Sequence, residues 1–257
     1  MQRFFVPQES IQQDSIIVTD ESMLHQMGRV IRMNTGDKCI FLDNSGDEYF
    51  ASVKNIEKKI GVFTIQEKRK GANAPKIKLT LIQAISKKPE TFELILQKGT
   101  ELGVFQFVPI IAEFCNRREL LKRERLERII LEAAEQSERT TLPALYEPMN
   151  FTDALTKFKK TAILLHCRGE LTHIKKYFDT NRDVTELALF IGPEGGFSPG
   201  EISLAQEAGI PLLSLGNMIL RTETAAIVAV GAVQIMVGDE GFEPPMTGPK
   251  PVALPLG

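Results

Sequence analysis

From residue 76 onward the chain alternates short apolar strand patterns with helix patterns, and this alternation restricts its fold more than any other feature. The spacing predicts strands over residues 78–85, 107–111, 161–165, 187–191 and 210–215. It predicts helices over residues 90–102, 120–138, 151–158, 171–178 and 222–237. The segment 198–201 (SPGE) adds a helix start, because its serine can cap, its proline fits the first turn and its glutamate can close a capping box. We therefore expect a mostly parallel α/β sheet that binds ligands at the carboxyl ends of its strands.

The first 70 residues have a different texture. Short apolar runs alternate with turn signals, and a helical stretch at 22–32 interrupts them. Several short strands at this spacing predict a small β-barrel over residues 1–70. The polar segment 68–75 contains glycine and proline and predicts a linker to a second domain over 76–238. Residues 241–257 hold five prolines and three glycines, which predicts a disordered tail.

Composition restricts the classes of partner. The chain has 31 basic and 33 acidic residues, so any contact with nucleic acid must come from local patches. The basic run at 117–128 is one such patch, although a run of this kind is typical of a solvated helix face. The three cysteines and three histidines are scattered, which predicts a reducing, cytoplasmic setting and no metal. No apolar run approaches the roughly 20 residues of a membrane span, so we expect no membrane contact.

Three loops follow predicted strands, at residues 166–169 (HCRG), 192–198 (GPEGGFS) and 215–225 (LGNMILRTETA). The glycines of the second loop allow bare backbone to approach a ligand, and apolar residues beside the loops could hold a ring. A tight strand-to-helix turn explains the second loop equally well. The loop has neither the Gly-Lys-Ser/Thr of a P-loop nor the Gly-x-Gly-x-x-Gly of a dinucleotide fingerprint.

Arg221 is the most specific feature of the third loop. Helix capping explains Thr222 or Thr224, and the positive end of a helix favours Glu223. An arginine is unfavourable at the same helix end without a partner. It is better explained by an anionic or polar ligand.

Together the motifs resemble one known family. Segments 97–104 (QKGTELGV), 132–137 (EAAEQS), 191–198 (IGPEGGFS) and 220–225 (LRTETA) occur in this order, after 3–5 (RFF) and 28–32 (GRVIR). This set resembles the RsmE family, the 16S rRNA (uracil-N3) methyltransferases of the SPOUT class, over residues 1–238. One departure is Asn217-Met218, where a more basic pair is expected.

The resemblance implies a PUA-like β-barrel followed by an α/β methyltransferase domain with a trefoil knot. It also implies S-adenosylmethionine as cofactor, a homodimer, and 16S rRNA in an assembled or late-assembling 30S subunit as substrate. Twelve positions of this sequence are implied to bind the cofactor: Leu165, His166, Ile191, Gly192, Gly195, Gly196, Leu215, Gly216, Ile219, Leu220, Thr222 and Ala225.

The implied reaction needs the N3 proton of uridine to be removed, with N3 in line with the methyl group. Our hypothesis is that Arg221 stabilises charge on the uracil oxygens or orients the base. Glu194 or Glu223 is the candidate base, and the sequence does not choose between them. Plausible phosphate contacts are Arg3, Arg29 and Arg32 in the first domain and Lys98 and Arg139 in the second.

Three other functions fit parts of the sequence. A related enzyme could methylate a ribose 2′-hydroxyl instead of a base. A non-catalytic RNA-binding or assembly factor could keep the fold, although the intact loops argue against it. An enzyme acting on nucleotide phosphates could use the glycine loop, but the lysine and the Mg²⁺ ligands it needs are missing from the sequence.

Overall fold

The computed structural model describes residues 1–71, 77–120, 122–181 and 183–237. The predicted tail at 241–257 and residues 72–75 of the predicted linker lie outside these ranges. Within them, no helix is long and apolar enough to cross a membrane.

The first part of the chain forms a five-stranded sheet of order β1-β3-β4-β5-β2, called here the N-terminal sheet. Its strands are β1 Gln2–Phe5, β2 Ser15–Val18, β3 Lys38–Leu42, β4 Asp47–Ile56 and β5 Gly61–Lys70. Only β1 and β3 run parallel; the other neighbours are antiparallel. A short 3₁₀ helix (Gln8–Ser10) follows β1, and α1 (Glu21–His25) continues into a π-helix (Gln26–Val30) after β2.

The N-terminal sheet curls around a single apolar core. Every strand contributes to this core, as Phe4 of β1, Ile16 of β2, Phe41 of β3 and Phe63 of β5 illustrate. In the described residues the edge strands β1 and β2 do not pair with each other, so backbone hydrogen bonds do not close the sheet into the barrel that the sequence predicts.

The predicted linker begins too early. Residues 68–70 belong to β5 and pair with β4, where Lys68 and Lys70 both form ion pairs with Asp47, at 2.9 and 2.6 Å. Two lysines on one strand with a facing carboxylate stabilise the pairing of β4 with β5. The polar composition of 68–75 did not indicate a strand there.

The second part of the chain is a parallel sheet of order β11-β13-β10-β12-β6-β7-β8, with β9 paired to β7, as the alternation predicts. Its strands are β6 Lys78–Ala84, β7 Gln106–Ile111, β8 Ala144–Leu145, β9 Met149–Asn150, β10 Ala162–Leu165, β11 Thr172–His173, β12 Glu186–Ile191 and β13 Leu212–Ser214. Its helices are α2 Pro89–Glu101, α3 Arg123–Gln136, α4 Phe151–Phe158, α5 Ile174–Thr180, α6 Pro199–Glu207 and α7 Thr222–Val237.

Helices cover both faces of this sheet, and the central strands are therefore largely apolar. In β12, Leu187 and Leu189 pack into the core with α2, α3 and α7, whereas Ala188 and Phe190 pack into the core with α4 and α6. Alternate residues thus serve opposite faces, as the period of two in a strand requires.

Two helices differ from their predicted bounds, and one predicted start is confirmed. The helix expected at 171–178 begins only at Ile174, because Thr172 and His173 pair with β13 instead. Helix α3 ends at Gln136, and Glu138 then takes a left-handed φ of 57°. The capping box of α6 is present, with Ser198 as its cap.

The N-terminal sheet packs directly on α3. Phe5 and Leu42 form a small apolar cluster with Ala134 of α3. The Phe5 backbone N–H also donates to Glu135 Oε1 at 3.3 Å. This contact buries a carboxylate between the two parts of the chain.

The buried carboxylate makes stability depend on pH. Burial raises the pKa of Glu135 from 4.5 to about 7, with a further contribution from Glu132. The folded state therefore binds the proton of the Glu135 carboxyl more tightly than the unfolded state does. The stability that this contributes is present below pH 4.5 and is lost as the pH rises to 7. We expect the free energy of unfolding of Glu135→Gln to be about 2 kcal/mol higher than that of the parent at pH 8. Near pH 4.5 the two proteins should have the same free energy of unfolding. Urea unfolding at both pH values measures this; an equal difference at both would contradict it.

Candidate functional site

A cavity of about 530 Å³ lies at the carboxyl edge of the parallel sheet. Strand β10 sits between β12 and β13, so the loops that follow these three strands are neighbours, and they form most of the wall. Residues after β6 form the rest of the wall. The lining residues are Lys87, Lys88, Thr91, Leu165, His166, Cys167, Ile191, Gly192, Pro193, Glu194, Gly196, Phe197, Leu215, Gly216, Met218, Ile219, Leu220, Arg221, Thr222, Glu223 and Ala225.

The inner wall of the cavity is apolar and the outer wall is loop backbone. Leu165 and Ile191 are buried at the ends of their strands, whereas Ile219 is 72% exposed on the third loop. Gly196 and Gly216 have φ of 75° and 131°, which favour glycine, and no atom lies within 4 Å of where their side chains would begin. The cavity can therefore hold an apolar ring beside loop backbone that no glycine side chain covers.

A buried hydrogen-bond network fixes the loops to one another. The Thr222 hydroxyl donates to the Gly192 carbonyl at 2.7 Å, and Gln83 Nε2 donates to Thr222 Oγ1 at 3.0 Å. Gln83 and Thr222 are 1% and 5% exposed. The network joins the end of β6, the loop after β12 and the first turn of α7. Sequence reasoning missed Gln83, although a polar residue inside an apolar strand run is a usable signal.

Removing the Thr222 hydroxyl is expected to destabilise the fold. Thr222→Val keeps the shape but leaves the Gly192 carbonyl and the Gln83 amide short of a partner, which costs about 1–3 kcal/mol of unfolding free energy. Thr224→Val, at an exposed position of the same turn, is the matched control and should change stability by no more than about 0.5 kcal/mol. Chemical denaturation compares the two; equal effects would contradict the role of the network.

Charged groups stand at the mouth of the cavity. Arg221 is exposed, and no carboxylate of the described residues forms an ion pair with it. Glu223 is half-buried in the first turn of α7. Glu194 is exposed, and its Oε1 accepts the Lys87 backbone N–H at 2.9 Å, which holds the segment after β6 against the glycine loop. Arg221, without an ion-pair partner among the described residues, thus lines the same cavity as Glu194 and Glu223.

His166 contributes to the wall at the end of β10. Burial lowers the pKa of its imidazole, and Arg168 lowers it further, so the ring is neutral at pH 7. Its backbone N–H donates to the Leu213 carbonyl at 2.9 Å, which ties the first loop to β13.

Comparison with known proteins places the chain in a family. A family model described as an RNA methyltransferase domain matches residues 73–234. The ribosomal RNA small subunit methyltransferase E of Synechocystis is 33% identical over 243 residues, 91% of this chain and 78% of that protein. The chain belongs to the RsmE family of RNA methyltransferases.

Solved structures of similar proteins agree with this membership. The ribosomal RNA small subunit methyltransferase E of Neisseria gonorrhoeae, bound to S-adenosyl methionine, superposes with a TM-score of 0.83 at 29% identity, covering 91% of this chain and 97% of that one. A Legionella pneumophila protein in complex with SAM gives 0.79 at 32% identity, covering 90% and 96%. The Bacillus subtilis methyltransferase E is 29% identical over 93% of this chain and the whole of that protein.

The RsmE resemblance assigned twelve positions to cofactor binding, and the fold brings all but one of them to the cavity wall. The exception is Gly195, which lies against Phe114: a Cβ at Gly195 would come within 3.1 Å of Phe114 Cβ. All three candidate catalytic residues, Arg221, Glu194 and Glu223, also line the cavity. Lys87, Lys88 and five other lining residues were not predicted, although Lys87 and Lys88 follow a strand end just as the predicted loops do.

Arg139 is not the phosphate contact that the sequence predicts. Its side chain is buried, and Nη1 donates to the Thr100 and Val104 carbonyls, both at 2.9 Å, while Nε donates to the Thr141 carbonyl. Burial lowers the pKa of Arg139 to about 10, so it stays charged at neutral pH. A cation at the carboxyl end of α2 stabilises that helix end. This role uses Nε and Nη1, while Nη2 is buried without a hydrogen-bond partner among the described residues.

Arg3 also forms its contacts inside the protein. It forms ion pairs with Glu48 at 2.6 Å and Glu138 at 3.3 Å, and its side chain is only 10% exposed. The prediction that Arg3 contacts phosphate is therefore wrong. Lys98 is half-buried and paired with Glu101 at 2.8 Å, whereas Arg29 in the π-helix and Arg32 just after it are exposed and remain candidates for RNA contact.

The basic run at 117–128 is largely neutralised on α3. Arg123 pairs with Glu127 and Glu147, Arg125 pairs with Glu93 at 2.5 Å, and Arg128 pairs with Glu132 at 3.7 Å. These pairs fit the solvated helix face that the sequence favoured. The arginines before the helix, at 117 and 118, do not share this pattern.

Proposed function

We propose that the chain is an S-adenosylmethionine-dependent methyltransferase that methylates N3 of a specific uridine in 16S rRNA. Membership of the RsmE family supports the cofactor and the ribosomal RNA substrate. The observation that carries the proposal is Arg221, which has no ion-pair partner among the described residues and lines the same cavity as Glu223.

The cavity fits the cofactor. Its volume lies within the roughly 300–1,000 Å³ that is usual for small-ligand sites. Leu165, Ile191 and Leu220 offer an apolar slot for adenine, and the backbone at Gly216, which no side chain covers, offers hydrogen-bonding groups for its edge and for the ribose. We assign eleven of the twelve predicted positions to this contact and give Gly195 a packing role. When bound, the sulfonium supplies an electrophilic methyl group and a neutral leaving group.

Arg221 and Glu223 would activate the uracil for methyl transfer. The imide at N3 is protonated at neutral pH, so a base must remove that proton while negative charge spreads over the two carbonyl oxygens. The Arg221 guanidinium would donate to these oxygens and stabilise the charge. We propose Glu223 as the base, because it is half-buried in the first turn of α7 and its carboxylate has no hydrogen-bond or ion-pair partner among the described residues, whereas Glu194 already accepts the Lys87 N–H.

Finer features of the fold belong to the same proposal. The curled N-terminal sheet supports a PUA-like domain that helps to bind RNA. The order β13-β10-β12, in which the later strands flank the earlier one, supports a trefoil knot around the cavity loops. Val228 and Ile235 are 45% and 58% exposed on α7 and support a homodimer through that helix. We place the enzyme in the cytoplasm, acting on assembled or late-assembling 30S subunits.

The proposal is tested by methyl transfer and by binding. Purified protein should bind S-adenosylmethionine in a calorimetric titration. It should also transfer a labelled methyl group to 16S rRNA or 30S subunits taken from a strain that lacks the corresponding gene. Cofactor binding without transfer to either substrate would contradict the enzymatic function, and absence of binding would point to a non-catalytic RNA-binding factor.

A further inference from the structure

A second group of residues stands beside the cavity at the carboxyl edge of the sheet. It comprises Lys87 and Lys88 after β6, and Phe114, Arg117 and Arg118 after β7; we call it the rim. Because β6 and β7 are parallel neighbours, the segments that follow them leave the sheet side by side. The rim is therefore continuous with the mouth of the cavity.

The two lysines face the cavity and are free to bind an anion. Lys87 and Lys88 both line the cavity and are exposed, and no carboxylate of the described residues forms an ion pair with either side chain. The bond from the Lys87 N–H to Glu194 fixes the backbone at this point, so the two ammonium groups project from a held segment.

Phe114 is an exposed aromatic residue on a loop that hydrogen bonds hold in place. Its side chain lies against Gly195, and the residue is 44% exposed. The neighbouring Glu113 backbone N–H donates to Glu201 Oε1 at 2.8 Å, and the Ala112 N–H donates to Cys115 Sγ at 3.3 Å. A large apolar ring held open to solvent beside the glycine loop is suited to stacking.

The arginines complete the positive charge of the rim. Arg117 lines a small hollow together with Ser86 and Pro89, so it adjoins the segment that carries the lysines. Glu119 lines the same hollow but forms no ion pair with Arg117. Arg118 is exposed and also unpaired among the described residues, in contrast to the arginines of α3, which all have carboxylate partners.

We propose that the rim binds the single-stranded RNA that flanks the target nucleotide. The lysines and arginines would contact phosphates, and Phe114 would stack on a neighbouring base. This inference rests on the proposed function: methylation at N3 requires an unpaired base, so the adjacent nucleotides are also accessible. Cations along a groove combined with an aromatic surface are how proteins bind single strands.

The lysines are tested by a double variant. Lys87→Ala/Lys88→Ala should raise the Kd for a single-stranded 16S rRNA fragment about tenfold, and should reduce the slope of log affinity against log salt by about 1.4, or 0.7 for each lost phosphate contact. The Kd for S-adenosylmethionine is measured in parallel, because both lysines line the cavity. The matched control is Lys159→Ala/Lys160→Ala, since these adjacent exposed lysines precede β10 and so lie at the opposite edge of the sheet.

Phe114 is tested separately. Phe114→Leu keeps an apolar contact with Gly195 but removes the ring, and it should weaken RNA binding about fivefold or more, whereas Phe114→Tyr should retain it. Fluorescence anisotropy with the same RNA fragment measures both variants.

Either of two results would contradict the proposal that the rim binds RNA. One is RNA affinity and salt slope equal to the parent in the lysine and Phe114→Leu variants. The other is weaker S-adenosylmethionine binding with unchanged RNA affinity, which would place the lysines at the cofactor. Both are distinguishable from failure of the proposed function, in which the parent protein itself would transfer no methyl group to RNA.

Discussion

Arg221→Ala is expected to lower kcat for methyl transfer by about 10²–10³-fold, the size of effect seen when one charge-stabilising donor is removed from an active site. The Arg221 side chain has no ion-pair partner among the described residues, so its loss should leave the fold unchanged. Single-turnover kinetics with saturating cofactor and RNA measure the effect on the chemical step.

Arg221→Lys is the control for charge. A lysine keeps the positive charge but loses the planar pair of donors, so we expect it to recover only part of the lost rate. The Kd for S-adenosylmethionine should change little in both variants. An alanine variant with full turnover would remove Arg221 from the chemistry, and one that fails only to bind cofactor would make it a binding residue.

Glu223→Gln is expected to lower kcat at neutral pH by about 10²–10⁴-fold, because the amide cannot accept the N3 proton. The loss should shrink as pH rises, since uridine N3 then gives up its proton to solvent. A pH–rate profile of the variant against the parent measures both effects.

Glu194→Gln is the matched comparison. Its amide oxygen can still accept the Lys87 N–H, so the segment after β6 should stay in place and the rate should fall much less. A larger loss in Glu194→Gln than in Glu223→Gln, with the same recovery at high pH, would assign the base to Glu194 instead.

Much of the parallel sheet could be predicted from the sequence, because strands buried on both faces leave apolar runs that are easy to see. The runs that became β10 and β12 show this, as does the helix at 151–158. Strands β8, β9 and β11 have two residues each and leave no periodic signal. Strand β1 was also missed, because only Phe4 and Phe5 of its four residues are buried and they leave no alternation.

The cavity loops could be predicted because each carries its signal locally, as glycine or arginine just after a strand. Gln83 and Lys87 were missed: each has a weak local signal, but its role arises from a partner 139 or 107 residues away along the chain. The same limit explains the errors at Arg3 and Arg139. Their partners, Glu48 and Thr100, lie 45 and 39 residues away, and a sequence does not distinguish a buried, bonded arginine from an exposed one.

The position of the transferred methyl group tests the central claim most directly. The parent protein would be incubated with S-adenosylmethionine and 30S subunits from a strain lacking the gene, and the 16S rRNA would be digested and mapped by mass spectrometry. We predict a single new nucleoside, 3-methyluridine, at one position of the rRNA. A methyl group on a ribose 2′-hydroxyl or on another base, or an unmodified rRNA, would contradict the account.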